Sequence, residues 1–139
     1  FQCEMNSMEY VNTSGKRKSA IARAVVEKGD GKVTVNKVPI DVYSPELARL
    51  KIMEPLGMAA DKAEQVNISV TVNGGGVMGQ AAAARTAIAR GLVEFFKDEE
   101  LEAMFKEYDR TLIINDTRRK LPKKELGPGA RARKQKSYR

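Results

Sequence analysis

The last twenty-two residues of the chain, residues 118–139, constrain its fold most, because they offer almost no apolar surface to bury. Ten of them are Lys or Arg and one, Glu125, is acidic, so this tail carries a net charge of +9. The preceding residues hold fifteen basic and seventeen acidic side chains, and their balance of −2 brings the whole chain to +7. A hydrophobic core must therefore form before Arg118, and the tail has the charge of a nucleic-acid-binding arm.

Length and composition narrow the class of protein. The 139 residues suit one globular domain, which we expect at residues 9–117, between a loose N-terminal extension at residues 1–8 and the tail. No apolar run approaches the ~20 residues of a membrane span, and the N-terminus lacks a secretory pattern, which predicts a soluble intracellular protein. Cys3 is the only cysteine and histidine is missing, so we expect neither a metal nor a cofactor.

Alternating apolar and polar residues predict the strands. Residues 20–26 place small side chains on one face, which lets a helix or a polynucleotide backbone approach closely. A glycine-containing turn links them to a second strand at residues 33–36, and residues 66–73 form the cleanest alternation in the chain. A last, well-buried strand is expected at residues 111–115, where apolar residues stand together.

Helices are predicted between these strands. Residues 44–46 (Ser, Pro and an acid) form a helix start, and Pro55 should break or kink that helix. Its apolar residues are expected on one face: Leu47, Leu50 and Met53. Residues 81–97 predict a long helix and residues 98–108 another. The order of elements favours an α/β sandwich of one sheet and covering helices.

Three glycines, residues 74–76, stand between the cleanest strand and the long helix. This order can bring backbone N–H groups close to a phosphate. However, no Gly-Lys-Ser/Thr follows, and the dinucleotide pattern with its downstream acid is missing. The spacing favours a tight turn over a nucleotide pocket, and both interpretations stay open.

Basic side chains before the tail are ambiguous in isolation. Arg85 and Arg90 on the long helix could hold phosphates or form a solvated face, and the solvated face is favoured for each alone. The cations at residues 16–18 lie close to a strand start, and together with the basic tail this favours phosphate contact.

The tail could be a solubilising appendage, but its details favour nucleic acid. Its charge has one sign, and Gly-Pro-Gly at residues 127–129 excludes a continuous helix. Tyr138 offers a stacking plane beside Arg139, whose guanidinium can bind a phosphate through two hydrogen bonds.

One segment carries a family resemblance. Residues 74–92, GGGVMGQAAAARTAIARGL, resemble the signature of small-subunit ribosomal protein nine in their glycines, Gln80, small residues and closing Arg-Gly-Leu. The resemblance extends to GKRKSA at residues 15–20 and to the closing QKSYR, so that it covers residues 9–139. This ending is similar to that of the archaeal and eukaryotic branch of the family.

This resemblance implies both a fold and a role. The fold is α+β, a two-layer sandwich like the second domain of small-subunit ribosomal protein five, with a four-stranded sheet, helices on one face and a left-handed βαβ crossover. The role is structural, in the cytoplasmic ribosome, without enzymatic activity or a membrane. Implied partners are ribosomal RNA in the head of the small subunit, neighbouring subunit proteins and peptidyl-site tRNA.

The resemblance and the charge pattern together give two sets of predicted contacts. Those to ribosomal RNA are Lys16, Arg17, Lys18, Gly75, Gly76, Gln80, Arg85, Arg90, Arg118, Arg119, Lys120, Lys123, Lys124, Arg131 and Arg133. Those to tRNA are Lys134, Lys136, Ser137, Tyr138 and Arg139.

Two other classes of protein stay open. Small-molecule kinases of a related fold bind ATP phosphates through a glycine-rich loop, but they are longer, and their loop is Ser-rich where this chain has Gln80 and alanines. No acid is evidently placed as a base or metal ligand. A free-standing RNA or chromatin chaperone would fit the charge split alone. ATP turnover and sedimentation with small subunits separate the three classes.

Overall fold

Four of the five strands precede the first α-helix in a computed structural model that describes residues 9–138. The strands are β1 (Tyr10–Arg17), β2 (Ala20–Lys28), β3 (Val33–Val35), β4 (Val38–Pro39) and β5 (Val66–Asn73). The α-helices are α1 (Glu46–Met58), α2 (Ala60–Ala63), α3 (Val77–Phe96) and α4 (Glu99–Tyr108). Single 3-10 turns occur at Ile40–Val42 and Arg110–Leu112.

The five strands form one mixed sheet in the order β1-β2-β5-β3-β4. All neighbours are antiparallel except β3 and β5, which run parallel and are connected through α1 and α2. In the centre, Ala24 of β2 lies opposite Thr13 of β1 and Val70 of β5. The predicted α+β class is confirmed, although the sheet has five strands rather than four. The left hand of the crossover stays a prediction.

Helix α3 packs across β1, β2 and β5, and α1 packs against α3. Alternate residues of β2 and β5 face this helical layer and are buried, whereas the intervening residues, such as Arg23 and Thr71, are exposed. The core therefore lies between the sheet and the helices, as the period-two pattern requires.

Small residues set the distance between α3 and the sheet. The core-facing residues of β2 include three alanines, and those of α3 include five more: Ala81, Ala83, Ala84, Ala87 and Ala89. A Cβ on Gly15 of β1 would overlap the Ala83 carbonyl oxygen and lie 2.8 Å from the Ala87 nitrogen. The small-residue face of β2 thus packs against a helix, and not against a polynucleotide backbone, which was the other possibility that the sequence left open.

The structure corrects the predicted orientation of α1. Leu47, Leu50 and Met53, expected together on a packing face, are exposed. The residues that α1 buries instead are Ala48, Ile52 and Pro55. Pro55 does not end the helix, which continues to Met58, because its ring packs into the core close to the helix C-terminus, where few later turns can be disturbed.

The strand predicted at residues 111–115 is also wrong. The 3-10 turn at Arg110–Leu112 occupies its first part, and Leu112 alone is fully buried there. Asp109 caps this turn by accepting a hydrogen bond from the Thr111 nitrogen at 2.9 Å. Capping fixes a helical start, and only one isolated parallel bridge, Arg17 to Asp116, follows it. The missed strands are β1, which is rich in polar residues, and the two-residue β4.

Residues 118–138 contain neither helix nor strand. The boundary of the predicted globular domain at residue 117 stays a prediction, and the predicted extension at residues 1–8 lies outside the described residues. Within residues 9–138, no helix is long and apolar enough to cross a membrane.

Replacing Gly15 tests the close approach of α3. We expect Gly15→Ala to lower the free energy of unfolding by about 3 kcal/mol, since its Cβ meets helix backbone that cannot move aside. Gly57→Ala in α1 is the matched control, because nothing lies within 4 Å of a Cβ there, and it should gain roughly 0.5–1 kcal/mol of helix stability. Urea unfolding followed by circular dichroism gives both values. Equal stability of the two variants would contradict the packing described above.

Candidate nucleic-acid interface

Three segments meet at one end of the sheet: the β1–β2 turn, the glycine loop at residues 74–76, and the start of the tail. Gly74 and Gly75 have φ angles of 76° and 67°, and Gly75 packs so tightly that a Cβ would lie 2.9 Å from that of Ala20. Gly76 has open space around it. Gln80 braces the loop by donating to the Gly74 carbonyl oxygen at 3.1 Å. The first two glycines thus serve a tight turn, as the spacing favoured.

A cleft of about 370 Å³ opens beside this loop. Arg17 and Lys18 line it from the β1–β2 turn, Lys51 lines it from α1, and no acidic residue lines it. Helix α3 begins at this cleft without a side-chain cap and without an acid in its first turn. Three cations beside uncapped backbone N–H groups suit a phosphate.

A second cleft, of about 330 Å³, adjoins the first. Arg17 and Lys51 line both clefts, and three more cations line the second: Lys16, Arg85 and Arg118. Asp109 and Asp116 also line it, so its charge is mixed. Sequence reasoning missed Lys51 because it had assigned the wrong packing face to α1, and no local pattern marks this lysine.

Arg85 is buried, with 7% of its surface exposed, and is held by protein carboxylates. Its Nε lies 2.5 Å from Oε2 of Glu54, off the N–H direction, so this contact is a close ion pair rather than a linear hydrogen bond. Its Nη1 donates to Oδ2 of Asp109 at 3.0 Å. The sequence favoured a solvated position for Arg85, and that prediction is wrong. Contact between Arg85 and RNA stays a prediction.

Arg90 connects three parts of the chain. Its Nε donates to the Ile113 carbonyl oxygen at 2.6 Å, and its Nη1 donates to the Ser14 carbonyl oxygen at 2.8 Å. It therefore ties α3 to β1 and to the segment before the tail. Its guanidinium, like that of Arg85, is engaged within the protein, and contact with RNA stays a prediction for both.

The pKa of Asp109 reflects these contacts. Burial acts to raise it, but hydrogen bonds from Thr111 and the neighbouring Arg85 guanidinium outweigh burial, so the pKa lies below its usual range. The carboxylate is therefore charged at neutral pH and pairs with the buried guanidinium.

The tail begins against the β1–β2 turn. Arg118 donates side-chain hydrogen bonds to both oxygens of the Asp116 carboxylate, from Nε to Oδ1 at 3.1 Å and to Oδ2 at 3.0 Å, and from Nη2 to Oδ2 at 2.8 Å. These bonds hold the pKa of Asp116 well below its usual range. Arg119 donates to the Lys18 carbonyl oxygen at 2.7 Å. The structure thus brings together nine of the predicted contacts to RNA: Lys16, Arg17, Lys18, Gly75, Gly76, Gln80, Arg85, Arg118 and Arg119.

The remaining predicted side chains of the tail point away from the core. All of the following are exposed: Lys120, Lys123, Lys124, Arg131, Arg133, Lys134, Lys136, Ser137 and Tyr138. Arg133 also donates to the Glu125 carbonyl oxygen at 3.2 Å and closes a loop within the tail. Arg139 lies outside the described residues. In the part of the chain that the structure describes, no group of three or more metal-ligating side chains could hold a metal ion.

The fold, together with the end of the sheet where the tail begins, defines a small two-layer α+β protein with a cationic arm. Residues 15–139 match the family model described as ribosomal protein S9/S16, and the chain belongs to this family. The resemblance seen in the sequence is thereby confirmed, as is the expectation of a structural, non-enzymatic protein.

Curated relatives cover nearly the whole chain. Small ribosomal subunit protein uS9 of Thermoplasma volcanium is 61% identical over 132 residues, which are 95% of this chain and 100% of that protein. Its counterpart in Halobacterium salinarum is 54% identical over 129 residues, 92% of this chain and 98% of that one. The protein of the same name in Picrophilus torridus is 50% identical over 131 residues, which are 94% of this chain and 98% of that protein.

Removing the Asp109 charge tests the buried ion pair. We expect Asp109→Asn to lower the free energy of unfolding by about 2 kcal/mol at neutral pH, because Arg85 keeps only Glu54 as a charged partner. Glu107→Gln, which alters an exposed carboxylate of α4, is the control and should change little. Denaturant unfolding of the three proteins measures the difference.

The pH dependence of that difference has a definite sign. The folded-state pKa of Asp109 is depressed, so its stabilisation is present above the unfolded-state pKa of about 4 and is lost as pH falls through the folded-state value. The difference in free energy of unfolding between wild type and Asp109→Asn should therefore become smaller below about pH 4. A gap that widens with acid would contradict this assignment.

Proposed function

We propose that this chain is a structural protein of the small ribosomal subunit that binds ribosomal RNA and whose tail contacts peptidyl-site tRNA. The observation that carries the proposal is the charge split: a tail of +9, whose cations are exposed as far as residue 138, starts beside the cationic β1–β2 turn. The names of the curated relatives, all small ribosomal subunit proteins, support the same assignment and a location in the cytoplasmic ribosome.

Ribosomal RNA is proposed to bind where the tail meets the body. Lys16 and Lys18 are exposed there, and Lys51 adds a charge from α1 that the sequence did not reveal. The acid-free cleft beside the glycine loop offers a phosphate both cations and backbone donors. Phosphate contacts of this kind fix the position of a protein on RNA without reading its sequence.

The end of the tail is proposed to reach tRNA in the peptidyl site. The eleven residues 129–139 can span on the order of 35 Å when extended at about 3.3 Å each, enough to leave the body and enter a neighbouring site. Tyr138 is 87% exposed and free to pack or stack behind the guanidinium of Arg139. Lys134, Lys136 and Ser137 are the accompanying donors.

The kinase alternative finds no support at the glycine loop. No carboxylate lines the cleft beside that loop, so none is placed there to bind a metal ion or accept a proton. The positive φ angles of the loop serve packing on β2. The family membership of the chain also stands against catalysis.

Deleting the tail tests ribosomal RNA binding. We expect log K for the intact protein to fall against log salt with a slope of several units, since about six to ten phosphates are neutralised. Truncation after Thr117 should remove most of the affinity and flatten the slope. Filter binding to ribosomal RNA across a salt series measures both. A slope near zero for the intact protein would overturn the proposal.

Lys51 tests whether the body contributes beside the tail. We expect Lys51→Ala to weaken RNA binding and reduce the magnitude of the salt slope by about one unit, as loss of one phosphate contact does. Lys28→Ala is the control, because Lys28 ends β2 at the opposite end of the sheet, paired with Val66. The same salt series serves for both variants. Equal effects would mean that charge alone matters and that the cleft does not.

Arg139 tests the tRNA contact. In small subunits reconstituted with Arg139→Ala, we expect peptidyl-site tRNA to bind about 1–3 kcal/mol more weakly while assembly is unchanged, since one charge-assisted contact is lost. Arg139→Lys should keep only part of the wild-type tRNA affinity, because an ammonium group cannot make the planar contact through two hydrogen bonds. Filter binding of tRNA gives the affinities. Unchanged affinity would refute the contact, and failed assembly would assign Arg139 to ribosomal RNA instead.

A further inference from the structure

We propose that Asp116 is a positioning residue that fixes the direction in which the tail leaves the body, by anchoring residues 115–119, the tail root, along β1. The inference rests on the proposed function of the tail at the tRNA site. Asp116 itself contacts no RNA in this proposal. It orients the residues that do.

The anchoring begins at the edge of the sheet. Strand β1 is the outer strand, so one row of its backbone groups has no neighbouring strand. Asn115 accepts a hydrogen bond from the Lys16 nitrogen at 3.1 Å, and Asp116 forms a parallel bridge with Arg17. The tail root therefore starts as a short addition to the sheet, with its direction set by β1.

The Asp116 carboxylate then organises the next residues. Besides the side-chain bonds from Arg118, it accepts one from the Arg118 backbone nitrogen at 3.0 Å. It also lies 3.5 Å from Nε of Arg17. Its side chain is 12% exposed, whereas that of Arg118 is 82% exposed. The carboxylate is thus covered by its partners while the guanidinium stays accessible.

Two further hydrogen bonds cross between the turn and the tail root. Arg17 donates from Nη1 to the Arg118 carbonyl oxygen at 2.9 Å, and Arg119 donates in the other direction to the Lys18 carbonyl oxygen at 2.7 Å. These bonds bring cations close to each other. Between Asp109 and Glu125 the sequence has one acid, Asp116, to offset their repulsion. Exposed ion pairs are individually weak, so the anchor depends on the whole set meeting at this carboxylate.

Bulk electrostatics and positioning predict opposite effects of removing this charge. A surface that merely attracts phosphates binds RNA better when an acid is removed. A tail that must reach one site loses effective concentration when its root is freed, because residues 120–139 then spread over a root-mean-square distance of about 25 Å. The opposite signs make the two explanations separable.

The test compares Asp116→Asn with Glu125→Gln, both in the full-length protein. Glu125→Gln removes the same charge from the tail at an exposed side chain, whereas the Glu125 carbonyl bond to Arg133 does not involve the carboxylate. For free protein and ribosomal RNA, both variants should bind at least as tightly as wild type. In reconstituted small subunits, Asp116→Asn should bind peptidyl-site tRNA about 3- to 10-fold more weakly than Glu125→Gln. Asp116→Glu, which keeps the charge, should recover part of this loss.

A second measurement reports on the anchor without RNA. Limited trypsin digestion of the free protein should cleave after Arg118 and Arg119 several-fold faster in Asp116→Asn than in Glu125→Gln, since their protection depends on the anchored root. Unchanged cleavage would overturn the inference whatever the tRNA result. Thermal unfolding of both variants checks that the body stays folded and sets a temperature below both transitions, at which the two measurements are made.

Arg139→Ala, which should leave assembly unchanged, separates the two levels of the proposal. If Arg139→Ala leaves peptidyl-site tRNA affinity unchanged in assembled subunits, the proposed tRNA contact of the tail is wrong and the positioning role is overturned with it. If Arg139→Ala weakens tRNA binding and Asp116→Asn behaves like Glu125→Gln, the tRNA contact stands and only the positioning role of Asp116 is overturned.

Discussion

Helix α3 lies on the sheet only because the side chains between them are small, and the remaining structure depends on this close approach. Gly15 and the alanines of β2 and α3 thin the side-chain layer between the helix and this side of the sheet. The Thr13 hydroxyl can therefore donate to the Ala87 carbonyl oxygen at 2.8 Å, a bond from a strand side chain to helix backbone. This interface has little free space, so an atom added to one of its side chains would displace backbone rather than a neighbouring side chain.

The same approach brings two arginines of α3 within reach of the chain that follows α4. Arg85 pairs with Asp109 at the start of the 3-10 turn, and Arg90 binds the Ile113 carbonyl oxygen a few residues later. Together they hold the segment that leads into the tail against β1. An arginine close to the proposed RNA-binding surface therefore need not bind RNA itself, because its guanidinium can instead hold in place the segment that carries other cations.

The sequence predicts well where one periodic pattern dominates. Strand β5 alternates Val and Ile with polar residues, and its predicted bounds match the structure. The predicted long helix covers 16 of the 20 residues of α3, because its small and apolar residues repeat with helical spacing. For α1, the large residues Leu47 and Leu50 suggested a buried face, but the helix turns Ala48, Ile52 and Pro55 toward the core instead. The buried face depends on the partner that packs against α1, which is α3, and local sequence does not specify that partner. Lys51 was missed for the same reason.

The hydrogen bond between Thr13 and Ala87 joins residues 74 positions apart, and it has a consequence for biosynthesis. At about 5–20 residues per second, β1 and β2 wait on the order of 4–15 s after synthesis before the helix that covers them exists. During that interval the alanine face of the hairpin is open to water and to other chains. Closure of the fold is thus a late event in translation, and the cationic tail, made after the body, emerges when that body can already be complete.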